Sequence, residues 1–248
     1  KRCIELGIKP IIVDMRQPLP KVSKVVTQIG KYKLRPEQEK AVKAILSNKL
    51  GETPFQIGVL DYTVNAGKTL IMSALYLSYK KQLKTLLITN DSDWLNQARD
   101  EFKQYLPGED ITFVQGKVLN WSNFTICMVQ SISRNMKYYQ NGLAKIDMVL
   151  IDEADQGGSK LYQKVITKLF NTRVRIGLSG TIYMSKLAKD KVKNMNLRCF
   201  FGDVIAEFKL KDSIKKGYST KTIVKTVEGK PWFGNWEADC MSYNEIYD

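Results

Sequence analysis

The segment Gly67-Lys68-Thr69 has the residue types that hold a triphosphate. In such a site a tight turn directs backbone N–H groups at the phosphates, the lysine supplies positive charge, and the hydroxyl binds Mg²⁺. The usual pattern is G-x-x-x-x-G-K-[ST], and its first glycine falls on Tyr62 in this chain. Asn65 stands where another glycine is common, and asparagine enters the left-handed backbone region at low cost. We therefore expect the loop to close around phosphate; the alternative is a G-K-T triplet at the start of an ordinary helix.

A second segment, MVLIDEAD, ends an apolar run with the carboxylates of Asp152, Glu153 and Asp155. Open α/β sheets bind ligands at the carboxyl ends of their strands, so these acids should face the same crevice as the loop. Their mutual repulsion is offset if Asp152 holds Mg²⁺ while Glu153 polarises an attacking water. The alternative is a solvated acidic loop, which so apolar a strand disfavours.

Short apolar runs rich in β-branched residues predict the strands that position these two segments. Runs that are apolar on both faces indicate strands covered by helices on both sides, and hence a mostly parallel sheet in an α/β fold. Helices are predicted in GKTLIMSALYLSYKKQ, DSDWLNQARDEFKQYLPG and SKLYQKVITKLF. The strand runs are FQIGVLDYT, TLLITN, ITFVQG, FTICMVQS, MVLIDEAD and RVRIGLSGT.

Composition narrows the function classes further. The 248 residues include 39 basic and 25 acidic side chains, for a formal charge of +14, and no histidine. Without histidine a Ser-His-Asp or Cys-His site cannot be built, so a general base must be a carboxylate, a lysine or water. The positive charge favours a polyanionic partner, nucleic acid first of all, with a merely soluble basic surface as the alternative.

Cysteine usage and hydropathy predict the compartment. The four cysteines lie far apart without a C-x-x-C pair, so neither a disulfide framework nor an ordinary zinc site is expected. The sequence has no signal-peptide pattern and no apolar run of membrane-spanning length. We expect a soluble cytoplasmic protein without a membrane partner. The first residue is not methionine, which suggests a fragment of a longer chain.

The loop NAGKT followed by IDEAD resembles motifs I and II of the superfamily 2 helicases, and further segments agree in order across roughly residues 32–181. The resemblance implies a RecA-like P-loop NTPase domain, ATP and Mg²⁺ as cofactors, and ATP hydrolysis coupled to movement on a nucleic acid strand. The further segments are YKLRPEQEKAV as the adenine motif, LLITNDSDWLNQ as motif Ia, VQG as motif Ib, MVQS as the next strand-contacting motif and GLSGT as motif III.

The resemblance also implies a role for individual positions. Gln38 would read the adenine, with Tyr32 as a stacking ring. Lys68 would hold the β and γ phosphates, Thr69 and Asp152 the Mg²⁺, and Glu153 the lytic water. The other residues at the nucleotide would be Arg35, Asn65, Ala66, Gly67 and Leu70. The residues that couple hydrolysis to movement would be Asp155, Ser179 and Thr181. One DNA strand would lie on Thr89, Asn90, Gly116, Gln130 and Ser131, for each of which ordinary loop capping is the alternative.

Among relatives, the motifs look most like those of bacteriophage recombination and branch-migration DNA helicases, which would place the protein in a bacterial host cytoplasm. DEAD-box RNA helicases are the competing relatives, but they prefer A-x-T-G-x-G-K-T, P-T-R-E-L and S-A-T in motifs I, Ia and III. Here Tyr62 to Thr69, Thr89-Asn90-Asp91 and Ser179-Gly180-Thr181 occupy those places. A nucleotide-gated DNA-binding motor subunit of a restriction or repair complex is a further alternative.

The motif order also predicts the domain organisation. Residues 1–30 are expected to form an accessory arm or the tail of a preceding small domain, residues 31–226 the first motor domain, and residues 227–248 a linker toward a second RecA-like domain. In this family the second domain brings arginines to the γ-phosphate, and arginine fingers are worth about 10³ to 10⁵ in rate. We therefore expect these residues alone to bind nucleotide, hydrolyse it poorly, and bind single-stranded or branched DNA as a monomer.

Overall fold

The computed structural model describes residues 16, 18–47, 56–114, 121–182 and 191–221, with only the backbone described for residues 191–193. Within this part, seven strands form one sheet in the order β5-β6-β4-β7-β8-β3-β9, and every neighbouring pair is parallel. Two further strands, β1 and β2, pair as a short antiparallel ribbon. The strands are β1 Gln28–Ile29, β2 Tyr32–Lys33, β3 Gln56–Tyr62, β4 Thr85–Thr89, β5 Ile111–Val114, β6 Phe124–Met128, β7 Met148–Asp152, β8 Val174–Ser179 and β9 Val204–Phe208. The predicted α/β fold with a parallel central sheet is confirmed.

Helices follow most of the strands and cover both faces of the sheet. In the described residues they are α1 Pro36–Ser47, α2 Lys68–Ser78, α3 Ser92–Tyr105, α4 Val129–Arg134, α5 Met136–Leu143, α6 Lys160–Ile166, α7 Lys191–Phe201 and α8 Leu210–Lys215, with a 3-10 turn at Ala154–Gly158. The start of α3 shows why the chain turns there, because the Asp91 carboxylate accepts hydrogen bonds from the N–H groups of Asp93 and Trp94. None of the described helices is long and apolar enough to cross a membrane.

The sheet separates two apolar cores. Because successive side chains of a strand point to opposite faces, Leu150 of β7 belongs to one core and Ile151 to the other. The first core packs the sheet against α1, α2 and α3, and the second packs it against α4 to α7. All five residues of β4 and of β7 are buried, as expected for central parallel strands.

The described residues that precede β1 pack against this domain. Leu19, Val22 and Val26 contact the first core. Arg173, which directly precedes β8, donates to the Pro18 carbonyl at 2.6 Å. Residues preceding parallel strands lie at the amino edge of the sheet, so Pro18 lies near the edge opposite the carboxyl edge that bears the motifs.

Candidate nucleotide and nucleic-acid site

The loop between β3 and α2 has the left-handed turns that its closure requires. Gly67 has φ 73° and Asn65 has φ 63°, so asparagine adopts the conformation predicted for it. Ala66 N–H donates to the Thr63 carbonyl at 3.3 Å, which closes the turn. Helix α2 begins at Lys68 without a side-chain cap, so its first N–H groups and its positive dipole end are available to an anion.

Tyr62 occupies the position of the first glycine in the usual phosphate-loop pattern, and its side chain points away from the loop. The ring is fully buried and lies 6.0 Å from the Phe208 ring, away from the phosphate loop. Its hydroxyl donates to the Glu37 carbonyl of α1 at 2.7 Å, and burial followed by the Glu37 charge raises the pKa of Tyr62 to about 12. The side chain thus ties β3 to α1 and leaves the backbone of the turn unobstructed.

The side chains of Arg35 and Gln38 hydrogen-bond the backbone of the phosphate loop. The Gln38 amide donates to the Ala66 carbonyl at 2.8 Å and accepts the Arg35 N–H at 2.9 Å. Arg35 Nη2 donates to the Ala66 carbonyl at 2.6 Å and to the Asn65 carbonyl at 3.3 Å. The predicted adenine-reading amide is therefore 3% exposed and braces the phosphate loop in this structure. Tyr32, the predicted stacking ring, packs edge-on against Tyr105 with ring centroids 5.0 Å apart.

The lysine of the loop and the acids of β7 meet at the carboxyl edge of the sheet. Lys68 Nζ lies 3.5 Å from Asp152 Oδ1, and the Asp152 side chain is 4% exposed. The two groups form an ion pair but not a hydrogen bond, since Asp152 Oδ1 has no hydrogen-bond partner among the described residues. Glu153 follows with φ 52°, an uncommon conformation for a residue with a side chain. Such local strain recurs at functional sites.

Burial raises the pKa values of both Asp152 and Glu153, and neighbouring charges add to or oppose the rise. Burial raises the pKa of Asp152, and the charge of Lys68 opposes the rise. Burial also raises the pKa of Glu153, helped by the charges of Asp152, Asp155 and Asp91. A carboxylate with a raised pKa accepts a proton more readily, which suits a general base.

The donor set around Asp152 fits Mg²⁺. No cluster of three or more His, Cys, Asp or Glu side chains that could cage a metal occurs in the described part of the chain. Mg²⁺ is commonly bound by one or two carboxylates, with water and substrate phosphates completing its shell. Asp152 Oδ1, buried and without a hydrogen-bond partner, is such a carboxylate oxygen, and Thr69 at the first turn of α2 supplies a hydroxyl.

The third acid connects this site to the end of β8. Ser179 Oγ donates to Asp155 Oδ1 at 2.9 Å and accepts the Thr181 N–H at 3.1 Å. Gly180 lies between these two residues and close to the phosphate loop. A Cβ built on Gly180 would lie 3.2 Å from Thr63 Cα and 3.2 Å from the backbone carbonyl oxygen of Tyr62. The three residues predicted to couple hydrolysis to movement are thus brought together, next to the loop.

The sequence also matches a known family over most of this region. Residues 31–184, more than half of the 248, match the family described as "Type III restriction enzyme, res subunit". The chain belongs to this family. Membership of the superfamily 2 helicase motor domains, predicted from the motifs, is confirmed.

Solved structures of other helicase-type motors share the fold of this Res-family domain. The UvsW helicase of bacteriophage T4 is 20% identical, with a TM-score of 0.61 over 84% of this chain and 75% of that chain. The SWI2/SNF2 ATPase core of Sulfolobus solfataricus, solved in complex with dsDNA, is 20% identical, with a TM-score of 0.55 over 73% of this chain and 38% of that chain. The Hef helicase domain of Pyrococcus furiosus is 16% identical, with a TM-score of 0.56 over 74% of this chain and 40% of that chain.

A curated relative comes from Acanthamoeba polyphaga mimivirus. It is the protein L396, whose name classes it provisionally as an ATP-dependent RNA helicase. The two are 26% identical over 148 residues, which is 59% of this chain. The Res-family chain spans only 27% of the length of that relative.

The residues predicted to contact a nucleic acid strand lie just after neighbouring β-strands of the sheet. Gln130 Nε2 donates to the Asn90 carbonyl at 3.2 Å, which joins the ends of β4 and β6. Both side-chain oxygens, Asn90 Oδ1 and Gln130 Oε1, are buried without a hydrogen-bond partner in the described structure. Ser131 lies next along α4 and is partly exposed. Gly116 lies outside the described residues.

Thr89 has a different place. It is fully buried, and its hydroxyl accepts the Asp91 N–H at 3.2 Å. This buried position supports the turn before α3 and does not offer the side chain to a nucleic acid.

The structure also brings residues to the site that sequence reasoning missed. Glu37, buried in α1, pairs with Arg35 at 3.2 Å and with Lys216 at 2.8 Å. The Tyr162 hydroxyl is buried without a hydrogen-bond partner among the described residues, and burial with the charges of Glu153 and its neighbours raises the Tyr162 pKa. The spacing of the motifs carries no signal for these contacts, because α6 and α8 reach the site only through tertiary packing.

Proposed function

We propose that this chain is the first motor domain of an ATP-dependent DNA translocase or helicase that acts on branched or recombination intermediates. The observation that carries the proposal is the 3.5 Å approach of Lys68 Nζ to Asp152 Oδ1 at the carboxyl edge of a parallel sheet. A lysine-tipped loop and a buried acid in that arrangement are the parts that phosphoryl transfer from a nucleoside triphosphate requires.

The residues divide the work as follows. Lys68 and the loop N–H groups bind and orient the phosphates of ATP. Asp152 and the Thr69 hydroxyl would hold Mg²⁺, which would supply positive charge against the charge that develops on the phosphates. Glu153 orients the lytic water and accepts its proton, which its raised pKa favours. Asp155, which accepts a hydrogen bond from Ser179, couples the state of the site to the 179–181 segment.

The nucleic acid lies on the same edge of the sheet in this proposal. Asn90, Gln130 and Ser131 follow β4 and β6 and contact the backbone of one strand, without reading sequence. The charge of +14 favours such binding and makes it sensitive to salt. In such a motor a second RecA-like domain supplies arginines to the γ-phosphate, so this domain would by itself bind ATP but turn it over slowly.

DNA is the preferred substrate because the similar SWI2/SNF2 ATPase core of Sulfolobus solfataricus was solved in complex with dsDNA. An RNA helicase is the second candidate, because the mimivirus relative is named for that activity.

The test compares ATPase of the full-length protein with single-stranded DNA, forked DNA and RNA, each beside a Lys68→Ala variant. DNA should stimulate turnover at least about tenfold over Lys68→Ala. Stronger stimulation by RNA would overturn the substrate assignment, and no stimulation above the variant would overturn the proposed function.

A further inference from the structure

Tyr218 has a backbone position that is fixed by the end of α8. Gly217, with φ 73°, follows the helix, and its N–H donates to the Ile214 carbonyl at 3.0 Å. The Tyr218 N–H donates to the Ser213 carbonyl at 2.9 Å. These two bonds form a Schellman motif, a common helix ending that needs glycine at the left-handed position. The backbone of Tyr218 is therefore fixed by the end of α8, and its ring packs 6.4 Å from the Phe208 ring, measured between centroids.

The Tyr218 ring lies on Arg35. The guanidinium carbon of Arg35 is 4.3 Å from the ring centroid, which is a cation–π contact. The edge of the guanidinium is occupied by the Ala66 carbonyl, 2.6 Å from Nη2, and by Glu37, 3.2 Å from Nε. The Arg35 guanidinium thus lies over the Tyr218 ring and against the backbone of the phosphate loop.

This stacked pair is open to solvent. The Tyr218 residue is 37% exposed and the Arg35 side chain 26% exposed. Elsewhere behind the loop, Gln38 is 3% exposed with its amide engaged, and Tyr32 packs edge-on against Tyr105. A nucleotide with its phosphates in the loop would therefore find a flat, accessible surface for its base at Tyr218 and Arg35.

We propose that Tyr218, stacked on Arg35, forms the subsite for the base of the bound nucleotide. The inference rests on the proposed nucleotide site and adds to it a residue from the far end of the domain. Stacking is tolerant of base identity, because every base has a π-face, so the subsite adds affinity with little choice among bases.

The experiment measures the dissociation constants of Mg·ATP and of Mg·tripolyphosphate, which has the phosphates without a base, by titration calorimetry. Tyr218→Ala should weaken ATP binding about fivefold or more and leave tripolyphosphate binding within about twofold of wild type. Tyr218→Phe, which keeps the ring, should retain ATP affinity. Tyr138→Ala, at an exposed tyrosine of α5, is the matched control and should change neither ligand.

Each contrary outcome has a distinct meaning. Unchanged ATP affinity in Tyr218→Ala overturns the inference. Equal weakening of both ligands also overturns it, because the ring would then serve only to hold Arg35 and the loop. A wild-type chain that binds neither ligand overturns the proposed function itself.

Discussion

Replacing Gly67 with alanine should weaken both the folded state and nucleotide binding. The residue has φ 73°, and a Cβ built there would lie 2.4 Å from Gln38 Nε2 and 3.5 Å from Arg35 Nη2. A separation of 2.4 Å is far inside van der Waals contact, so Gln38 Nε2 must move away from the Ala66 carbonyl to which it donates.

The size of the effect follows from two contributions. A left-handed backbone costs an alanine about 1–2 kcal/mol. Displacing the Gln38 amide adds about 1–3 kcal/mol for buried polar groups that lose a partner. The lower half of that range applies, because Arg35 still donates to the Ala66 carbonyl. We expect the free energy of unfolding to fall by about 2–4 kcal/mol in total.

Gly108→Ala provides the matched control, since Gly108 has φ 79° and a Cβ there would meet nothing within 4 Å. This control should lose only the backbone cost of about 1–2 kcal/mol and keep its ATP affinity. Urea unfolding gives the stability, and titration with Mg·ATP should show at least about tenfold weaker binding by Gly67→Ala. Equal stability loss in the two variants, with ATP binding intact in both, would refute the argument that Gln38 and Gly67 brace the loop together.

Two further substitutions test the acids and the 179–181 segment. Burial and the charge of Asp152 raise the pKa of Glu153, so its charged form destabilises the folded protein. Glu153→Gln removes that charge, and the free energy of unfolding without nucleotide should therefore rise at pH 7 by up to about 1 kcal/mol. That gain in stability should shrink as the pH falls through the raised pKa and vanish below about pH 4, where the carboxyl is protonated in the folded and the unfolded protein. Urea unfolding of wild type and Glu153→Gln across pH measures the gain, and a gain that persists at about pH 3 would contradict this explanation. Gly180→Ala should cost about 1–3 kcal/mol by urea unfolding, because its Cβ would crowd the backbone of Tyr62 and Thr63. Wild-type stability in Gly180→Ala would show that the two segments are not in fixed contact.

Local rules on the sequence were sufficient for most of the sheet and for the loop. The six predicted strands and the three predicted helices are present, because each apolar run or periodicity fits one type of element, strand or helix. The left-handed conformation of Asn65 was predictable from the chemistry of asparagine. Strand β9 was not predicted, since it lies at an edge of the sheet and only Ala206 and Phe208 of its residues are buried.

The remaining features depend on contacts between distant parts of the chain. Tyr218 and Arg35 are far apart in sequence, and neither residue indicates the other. The burial of Thr89 likewise follows from its position at the end of a central strand, which a motif match does not register. A motif therefore predicted which residues gather at the carboxyl edge better than it predicted which of them are exposed there.

The most direct test of the account is Mg²⁺-dependent ATP binding by these 248 residues, measured calorimetrically for wild type, Lys68→Ala and Asp152→Asn. Wild type should bind ATP more tightly with Mg²⁺ than with EDTA, Lys68→Ala should bind at least about tenfold more weakly, and Asp152→Asn should lose the dependence on Mg²⁺. Equal binding by all three proteins, unaffected by EDTA, would contradict the claim that Lys68 and Asp152 meet around one magnesium nucleotide.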